Sequence, residues 1–377
     1  MSNSTTDNLV ANLNTATFWI NRIIPVISIV FGTFGNLFNI IIFTRRSLCN
    51  NPCSIYFLAG SIANFFVMYV ALLTRYLATS WNLDPAATNM IWCKIRYFLI
   101  YPPLCLVLWF VVLASIDRFF LSSHNVRLRQ LSSLSVARKT IIITTVFMFL
   151  INIHVFVFAR SVIINGIPNC TILPNEYVVF FNFFVRIVSC ILPLTLMCIF
   201  GILTIINVRM VGNRVISQDN NMRNERLRSN DRQLIIMLLL QILIVFIFVG
   251  PWTLINMYNS IAVTILNQKF STSEQAIYDF LFNLFRMLYY INPSIGFYIY
   301  TLSGPRFRIE LKHCIKCGLK FTLTAMGLLQ CLSLRIQRTL LDENQTCNKN
   351  TSLTKKGGRN TIHPDRPQTY VNNTSIV

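Results

Sequence analysis

Residues 97–116 form the most constraining stretch of this sequence, because twenty consecutive residues carry no charged side chain. A helix of that length, at about 1.5 Å per residue, covers the roughly 30 Å hydrocarbon core of a bilayer. Arg96 precedes the stretch, and Asp117 and Arg118 follow it. The sequence therefore predicts a transmembrane helix with Cys93 near one membrane surface and Asp117-Arg118 near the other.

Six further segments satisfy the same test of length and apolarity. The composition agrees, since 54% of the residues are hydrophobic and 12% are charged, about half the charge of a soluble protein. An arginine inside a span is tolerated poorly by lipid, so Arg186 and Arg286 indicate a polar bundle interior. We predict an all-α, seven-transmembrane helix bundle with spans at 18–43, 55–73, 97–116, 140–158, 177–206, 234–257 and 277–300.

The distribution of basic residues predicts the orientation. Net charge is +20, and most lysines and arginines lie in the loops after the first, third and fifth spans and after the seventh. The positive-inside rule then places the amino terminus outside and the carboxyl terminus in the cytosol of a multi-pass plasma-membrane protein. Because these residues flank apolar segments, membrane lipids are expected partners and nucleic acid is not.

Four regions follow from this topology. Residues 1–17 form an extracellular segment, 18–303 the transmembrane domain, 304–341 an amphipathic membrane-surface helical region, and 342–377 a disordered cytoplasmic tail. Cys314 and Cys317 are placed for palmitoylation, although two ordinary thiols are an equal alternative. Asn3 and Asn169 begin glycosylation sequons.

The cysteines allow a pairing prediction. In this topology only Cys93 and Cys170 lie outside the bilayer on the oxidising side. Two such cysteines are expected to form a disulfide, which would tie the outer end of the third helix to the loop between the fourth and fifth. The alternative is two unrelated thiols.

Asp117-Arg118 at the inner end of the third helix is suited to a latch. The aspartate holds the guanidinium, and a second acid, for which Asp231 before the sixth span is the candidate, could compete for it. The simpler interpretation is a solvated pair at a helix end.

Catalytic motifs are absent from the sequence. It contains no His-Glu-x-x-His, no phosphate-binding glycine loop and only four histidines. We therefore expect no enzyme, cofactor or metal.

Several motifs together resemble the rhodopsin-like (class A) G-protein-coupled receptors. They are Gly35-Asn36, Cys93, Asp117-Arg118-Phe119, Cys170, Pro193, Pro251, and Asn292-Pro293 followed by Tyr300 and Phe307. This resemblance covers residues 18 to about 317. It implies an outer cavity that takes an agonist and an inner face that activates a heterotrimeric G protein.

The chain also departs from the family pattern. Asn64 stands where the family usually has the aspartate that helps to hold an internal sodium ion. Trp252 follows Pro251 by one residue instead of preceding it by two, and Gly296 stands where the family usually has tyrosine after Asn-Pro. We favour the register that Tyr300 sets, in which the contacts that transmit activation differ from those of the family.

The ligand class is predicted from the outer halves of the spans. Ile100 lies where amine receptors place an aspartate, which argues against a biogenic amine. An aromatic and cationic cavity would suit a short peptide, such as a neuropeptide, or a ligand with a carboxylate. Ordinary helix packing is the alternative for many of its candidate residues, which are Tyr97, Tyr101, Arg186, Trp252, Asn256, Asn283, Arg286 and Tyr290.

Two other functions remain open at this stage. One is a transporter or channel, which the absence of an internal repeat and of paired broken helices argues against. The other is a receptor-like scaffold that does not couple to a G protein.

Overall fold

Long helices make up most of the computed structural model, which describes residues 2–164, 166–214 and 222–325. The first, third and seventh helices are Ser2–Phe43, Met90–Ser122 and Thr272–Ser303. The fourth is Leu134–Ile151 and resumes after a turn as Val155–Phe158. An eighth helix, Pro305–Ala325, follows the seventh directly.

The second, fifth and sixth helices each contain a π-helical stretch. The second is Pro52–Phe66, Val67–Leu73 and Thr74–Trp81, in which the middle segment is π-helical. The fifth is Asn175–Arg186, π-helical Ile187–Ile191 and Leu192–Arg214. The sixth is Met222–Tyr258 followed by π-helical Asn259–Ile265. Shorter helices are Arg46–Cys49, Pro85–Thr88 and Val126–Leu131.

The surface of the fourth helix shows why these helices belong in lipid. Ile142, Ile143, Val146, Phe147 and Leu150 lie on one stripe and are each more than half exposed. Water would disfavour such a continuous apolar face, whereas lipid covers it at no cost. In the described chain, six helices are long and apolar enough to cross a membrane. The seventh helix forms as predicted, but it carries polar groups and is not among those six.

Polar residues define where several helices begin. The Asn89 side chain accepts hydrogen bonds from the first-turn amides of Ile91 and Trp92, at 2.9 and 3.2 Å. Ser271 and Glu274 form a reciprocal capping box on the seventh helix. The hydrogen bonds from the Ser271 backbone and hydroxyl lower the pKa of Glu274.

The first helix packs closely against the seventh because it presents glycine there. A Cβ atom on Gly35 would lie 2.9 Å from Phe297 Cβ, so no larger side chain fits without a shift. The Asn36 side chain donates to the carbonyl of Pro293 at 3.0 Å, and Ser294 donates to the carbonyl of Ser28 at 3.0 Å. Small residues with interhelical hydrogen bonds are the usual basis of helix packing in membranes.

Pro193 explains a contact between the third and fifth helices. In the π-helical stretch a carbonyl pairs with the amide five residues later, and Val188 would need the amide of Pro193, which has no hydrogen. The indole Nε1 of Trp109 instead donates to the Val188 carbonyl at 2.9 Å. The kink proline predicted from the sequence therefore creates an acceptor that a neighbouring helix satisfies.

A β-hairpin covers one end of the bundle, which the prediction of an all-α fold did not include. Its strands Ala159–Ile164 and Ile167–Ile172 pair antiparallel. Cys170 in the second strand forms the predicted disulfide with Cys93, with their Cα atoms 5.6 Å apart. We call this end of the bundle the disulfide end.

An aromatic cluster closes the opposite end of the bundle. Phe43, Phe57, Tyr300 and Phe307 are all buried, and their ring centroids lie 5.0 to 5.9 Å apart. The cluster joins the start of the eighth helix to the first, second and seventh helices. We call this the Asp-Arg end, because Asp117 and Arg118 also lie there.

The described chain up to Leu311 forms one compact unit, and a second unit begins at Lys312. In the first unit, Glu310 accepts hydrogen bonds from Arg45 and Ser47, at 3.2 and 2.6 Å. The described part of the second unit, to Ala325, continues the eighth helix. Residues 326–341 of the predicted surface region and the whole predicted tail, 342–377, lie outside the described residues.

Candidate functional site

Arg118 is buried completely and is held by its neighbour on the third helix. Its Nε and Nη2 atoms donate to Asp117 Oδ2 at 3.0 and 2.5 Å. Asp117 is 5% exposed and Arg118 is 0% exposed. The solvated pair of the simpler interpretation is therefore not what the fold contains. A buried ion pair is costly to break from one side only, which suits a two-state latch.

Two further side chains hold this pair, and the sequence analysis identified neither. Ser132 donates from its hydroxyl to Asp117 Oδ1 at 2.7 Å. Arg118 Nη2 donates to Asn51 Oδ1 at 3.1 Å. Asn51 also caps the second helix by accepting from the Cys53 amide at 3.0 Å. The Asn-Pro start of that helix was a readable capping signal, but its contact with Arg118 depends on how the helices pack.

The other predicted residues of the switch have varied outcomes. Phe119 packs against Phe200 of the fifth helix, with ring centroids 5.6 Å apart. Tyr300 lies in the aromatic cluster at the Asp-Arg end. The backbone of Asp231 belongs to the sixth helix, but its side chain lies outside the described part of the structure. The proposed competition between two acids for Arg118 stays a prediction.

At the disulfide end, five of the predicted ligand residues lie close together. The guanidinium of Arg186 stacks on the Trp252 ring, 5.3 Å from its centroid. Tyr97 and Tyr101 stack with their centroids 6.1 Å apart. Tyr101 is near enough to Arg186 and Tyr290 to interact with both electrostatically. The fold thus brings together side chains from the third, fifth, sixth and seventh helices.

Arg286 and Asn283 form a second group, closer to the first helix. Arg286 Nη2 donates to Asn283 Oδ1, which also accepts from Asn21 at 3.1 Å. The charge of Arg75 acts on Arg286, and the Arg286 guanidinium lies 5.4 Å from the Phe282 centroid. Asn256 differs from the other predicted residues, because its side chain is buried and donates to the Trp252 carbonyl of its own helix at 2.7 Å.

In the part of the chain that the structure describes, neither Arg186 nor Arg286 is paired with a carboxylate. Among the described residues the ion pairs are Arg45–Glu310, Arg96–Asp84 and Arg118–Asp117. The Nε atoms of Arg186 and Arg286 are buried without a hydrogen-bond acceptor in this part of the chain. An unpaired buried donor on a cation creates a strong demand for an anionic group.

The predicted polar residues of the helix core meet in the centre of the bundle. Asn36 is 2% exposed and accepts a hydrogen bond from Asn64 at 3.2 Å. Asn292 and Pro293 of the seventh helix are buried beside them. Pro251 lies within the sixth helix, as predicted for a kink residue.

The predicted modification sites lie on or near loops. Asn169 is exposed on the hairpin, whereas the side chain of Asn3 lies outside the described residues. In the second unit, Cys314 and Cys317 lie on the eighth helix. Palmitoylation of Cys314 and Cys317 stays a prediction.

This fold, with a polar centre, a buried Asp-Arg pair and a disulfide-linked hairpin, defines a multi-pass membrane protein of the receptor class. Residues 35–300 match the model of the seven-transmembrane receptors of the rhodopsin family. The chain belongs to this family, as the motif resemblance indicated. A comparison with curated proteins gives no match.

Proposed function

We propose that this receptor binds a short extracellular peptide, such as a neuropeptide, at the disulfide end and activates a heterotrimeric G protein at the Asp-Arg end. The observation that carries the proposal is the complete burial of Arg118 in contact with Asp117 and Asn51, while Ser132 holds Asp117. Family membership supports a receptor in general terms. Coupling to a G protein and the class of the ligand go beyond family membership and are what we propose.

The proposed orientation puts the amino terminus outside the plasma membrane. It is supported by the basic residues in the loops at the Asp-Arg end, such as Arg127, Arg129 and Arg138. A disulfide at the opposite end agrees with an oxidising exterior. Epitope tags should therefore be reached by antibody on intact cells at the amino terminus and only after permeabilisation at the carboxyl terminus. The reverse pattern would overturn the proposal.

The coupling step follows from the state of Arg118. A guanidinium that is buried and held by Asp117 and Asn51 is closed to a protein partner. Agonist binding would favour a conformation in which the sixth helix moves outward and Arg118 becomes accessible. The G protein would then select the open conformation.

The ligand class follows from charge. Arg186 and Arg286 are cations whose buried Nε atoms have no acceptor in the described chain, and aromatic rings adjoin both. A peptide supplies a terminal or side-chain carboxylate together with apolar side chains for the tyrosine and tryptophan surface. Charge-assisted pairing would be stronger here than in water, because the site is partly desolvated.

Coupling is tested by Arg118→Ala, with Arg127→Ala as a control that removes an exposed arginine from the neighbouring loop. We expect Arg118→Ala to reach the cell surface and to lose nucleotide exchange on a G protein, while the control keeps it. Full exchange by Arg118→Ala would contradict the assignment. A wild-type receptor that binds peptide without promoting exchange on any G protein would indicate a non-coupling scaffold.

The ligand class is tested by screening short peptides and comparing each hit as a free acid and as a carboxyl-terminal amide, on wild type, Arg186→Gln and Arg286→Gln. Loss of one charge-assisted contact should weaken binding by about 10- to 100-fold, that is about 1.5–3 kcal/mol. In the variant that lacks the carboxylate-binding arginine, amidation of the peptide should weaken binding little further. Lys269→Gln, an exposed loop substitution, should change nothing. If amidation weakens binding by the same factor in wild type, Arg186→Gln and Arg286→Gln, recognition of the carboxylate by these arginines is refuted.

A further inference from the structure

A small polar cavity between the helices borders Tyr300 of the Asp-Arg end and contains none of the predicted ligand-binding residues. Its volume is about 20 Å³, and four of its lining residues have amide side chains. They come from the first, second, sixth and seventh helices and are Asn39, Asn64, Gln241 and Asn292. A cavity of about 10–15 Å³ on this measure already holds one water molecule.

All four amides have a side-chain oxygen that lacks a donor. Asn39 Oδ1, Asn64 Oδ1, Gln241 Oε1 and Asn292 Oδ1 are buried and accept no hydrogen bond from the described chain. Asn39, Gln241 and Asn292 are 1%, 6% and 4% exposed. Four unpaired acceptors around one cavity are a large penalty unless the cavity contains a donor.

Two neighbouring donors are engaged elsewhere. The Asn64 amide hydrogens point to Asn36 Oδ1 at 3.2 Å, and the Ser61 hydroxyl donates to the Phe57 carbonyl at 2.9 Å. A bound species can supply donors to the oxygens that are unpaired in the described chain.

A cation does not fit this cavity, although receptors of this family can hold a sodium ion near the position of Asn64. Amide oxygens can coordinate a hard cation. However, every lining residue is uncharged, and Asp117, whose charge acts on the lining residue Tyr56, is already paired with Arg118. Burial of an uncompensated charge is far more costly than burial of a neutral donor. The described chain also contains no cluster of three acidic, histidine or cysteine side chains.

We propose that the cavity holds water, which donates to the four amide oxygens and links the sixth helix to the first, second and seventh without sodium. One or two water molecules provide two to four donated hydrogen bonds, which matches the number of unpaired oxygens. The stability of the receptor is then independent of sodium, unlike that of a receptor with a carboxylate at this position.

The sodium arm of the test measures the thermal midpoint, Tm, of the purified full-length receptor by tryptophan fluorescence, without ligand or G protein. Wild type should have the same Tm in sodium chloride and in choline chloride at equal ionic strength. Asn64→Asp should have a higher Tm in sodium chloride, because it adds the missing negative charge. Asn207→Asp, which adds an acid outside the cavity, should show no sodium effect. A saturable, sodium-specific rise of the wild-type Tm that Asn64→Leu removes would overturn the proposal.

The water arm uses Asn39→Leu, which has a similar volume. If water bridges the amides, the apolar side chain displaces it and leaves three oxygens unpaired, so Tm falls. If the cavity is dry, the same substitution removes one unpaired oxygen and Tm rises, which would refute the proposal. Thr204→Val removes a buried hydroxyl that donates within its own helix at 2.7 Å and should change Tm less than Asn39→Leu. Since neither arm uses signalling, failure here is distinguishable from failure of the proposed coupling.

Discussion

Ser132 is expected to restrain the receptor in the closed state, and Ser132→Ala should raise its ligand-independent activity. The Ser132 hydroxyl donates to Asp117 Oδ1 at 2.7 Å, while Asp117 holds Arg118 with its other oxygen. Removing the hydroxyl takes one hydrogen bond from a carboxylate that is 5% exposed. If Arg118 release breaks this contact, the loss acts on the closed conformation alone.

The magnitude follows from the type of bond. A hydrogen bond to a charged group contributes about 1.5–3 kcal/mol net. The lower end applies because Ser132 is half-buried, so water can replace its hydroxyl in part. About 1.4 kcal/mol corresponds to a tenfold change in an equilibrium constant. An open state populated at about 1% would therefore rise to about 10%.

The assay is spontaneous nucleotide exchange on a reconstituted G protein, without ligand and at matched receptor concentration. Ser135→Ala is the control, because it removes an exposed hydroxyl from the same segment. We expect a rise of about tenfold for Ser132→Ala and none for Ser135→Ala. If Asp117→Asn raises basal exchange but Ser132→Ala leaves it at the wild-type level, the Ser132 contact does not restrain the latch and the reasoning is wrong.

Three other substitutions test the packing. Cys93→Ser, Cys170→Ser and the double variant should be destabilised equally, by up to about 4.5 kcal/mol for a 77-residue separation. Unequal losses in thermal stability would argue against a shared role. Gly35→Ala should lower the stability of the receptor by about 1–3 kcal/mol, because the new Cβ would lie 2.9 Å from Phe297 Cβ. Gly250→Ala, with open space around the new atom, should not lower it. Equal effects of the two substitutions would contradict close packing at Gly35. Trp109→Phe should lower the stability of the receptor by about 1–3 kcal/mol, because the Val188 carbonyl loses its donor. Unchanged thermal stability would refute the explanation that Pro193 leaves this carbonyl in need of a donor.

Much of the architecture was predictable because membrane constraints are local. Helix length against bilayer thickness identified all seven helices. Their boundaries in the structure extend beyond the predicted ones, as for the third helix, Met90–Ser122, against the predicted 97–116. The length of the uncharged stretch gives only the part of a helix that lies in the hydrocarbon core. The residues at which the helix begins and ends are set by caps such as Asn89. The amphipathic pattern likewise predicted a helix after the seventh span, which begins at Pro305.

Cysteine counting also worked, because topology left two cysteines on one side of the membrane. It did not predict that Cys170 lies in a hairpin strand, although Asn165-Gly166 between two short runs rich in isoleucine and valine was a readable hairpin signal. The hairpin is held in place by the disulfide and by Ser161, which donates to the Ala87 carbonyl. The apolar cluster beneath the hairpin, with Val155, Phe181 and Val185, is likewise a product of packing.

The sequence by itself determined how many helices cross the membrane, which cysteines pair and which arginine could act as a switch, because each depends on residue type along one segment. Only the tertiary structure decided that Asn51 and Ser132 hold the Asp117–Arg118 pair, and that four amides from four helices surround one cavity. Those contacts join residues distant in the chain, and the relative rotation of the helices, which local propensity does not encode, brings them within hydrogen-bond distance.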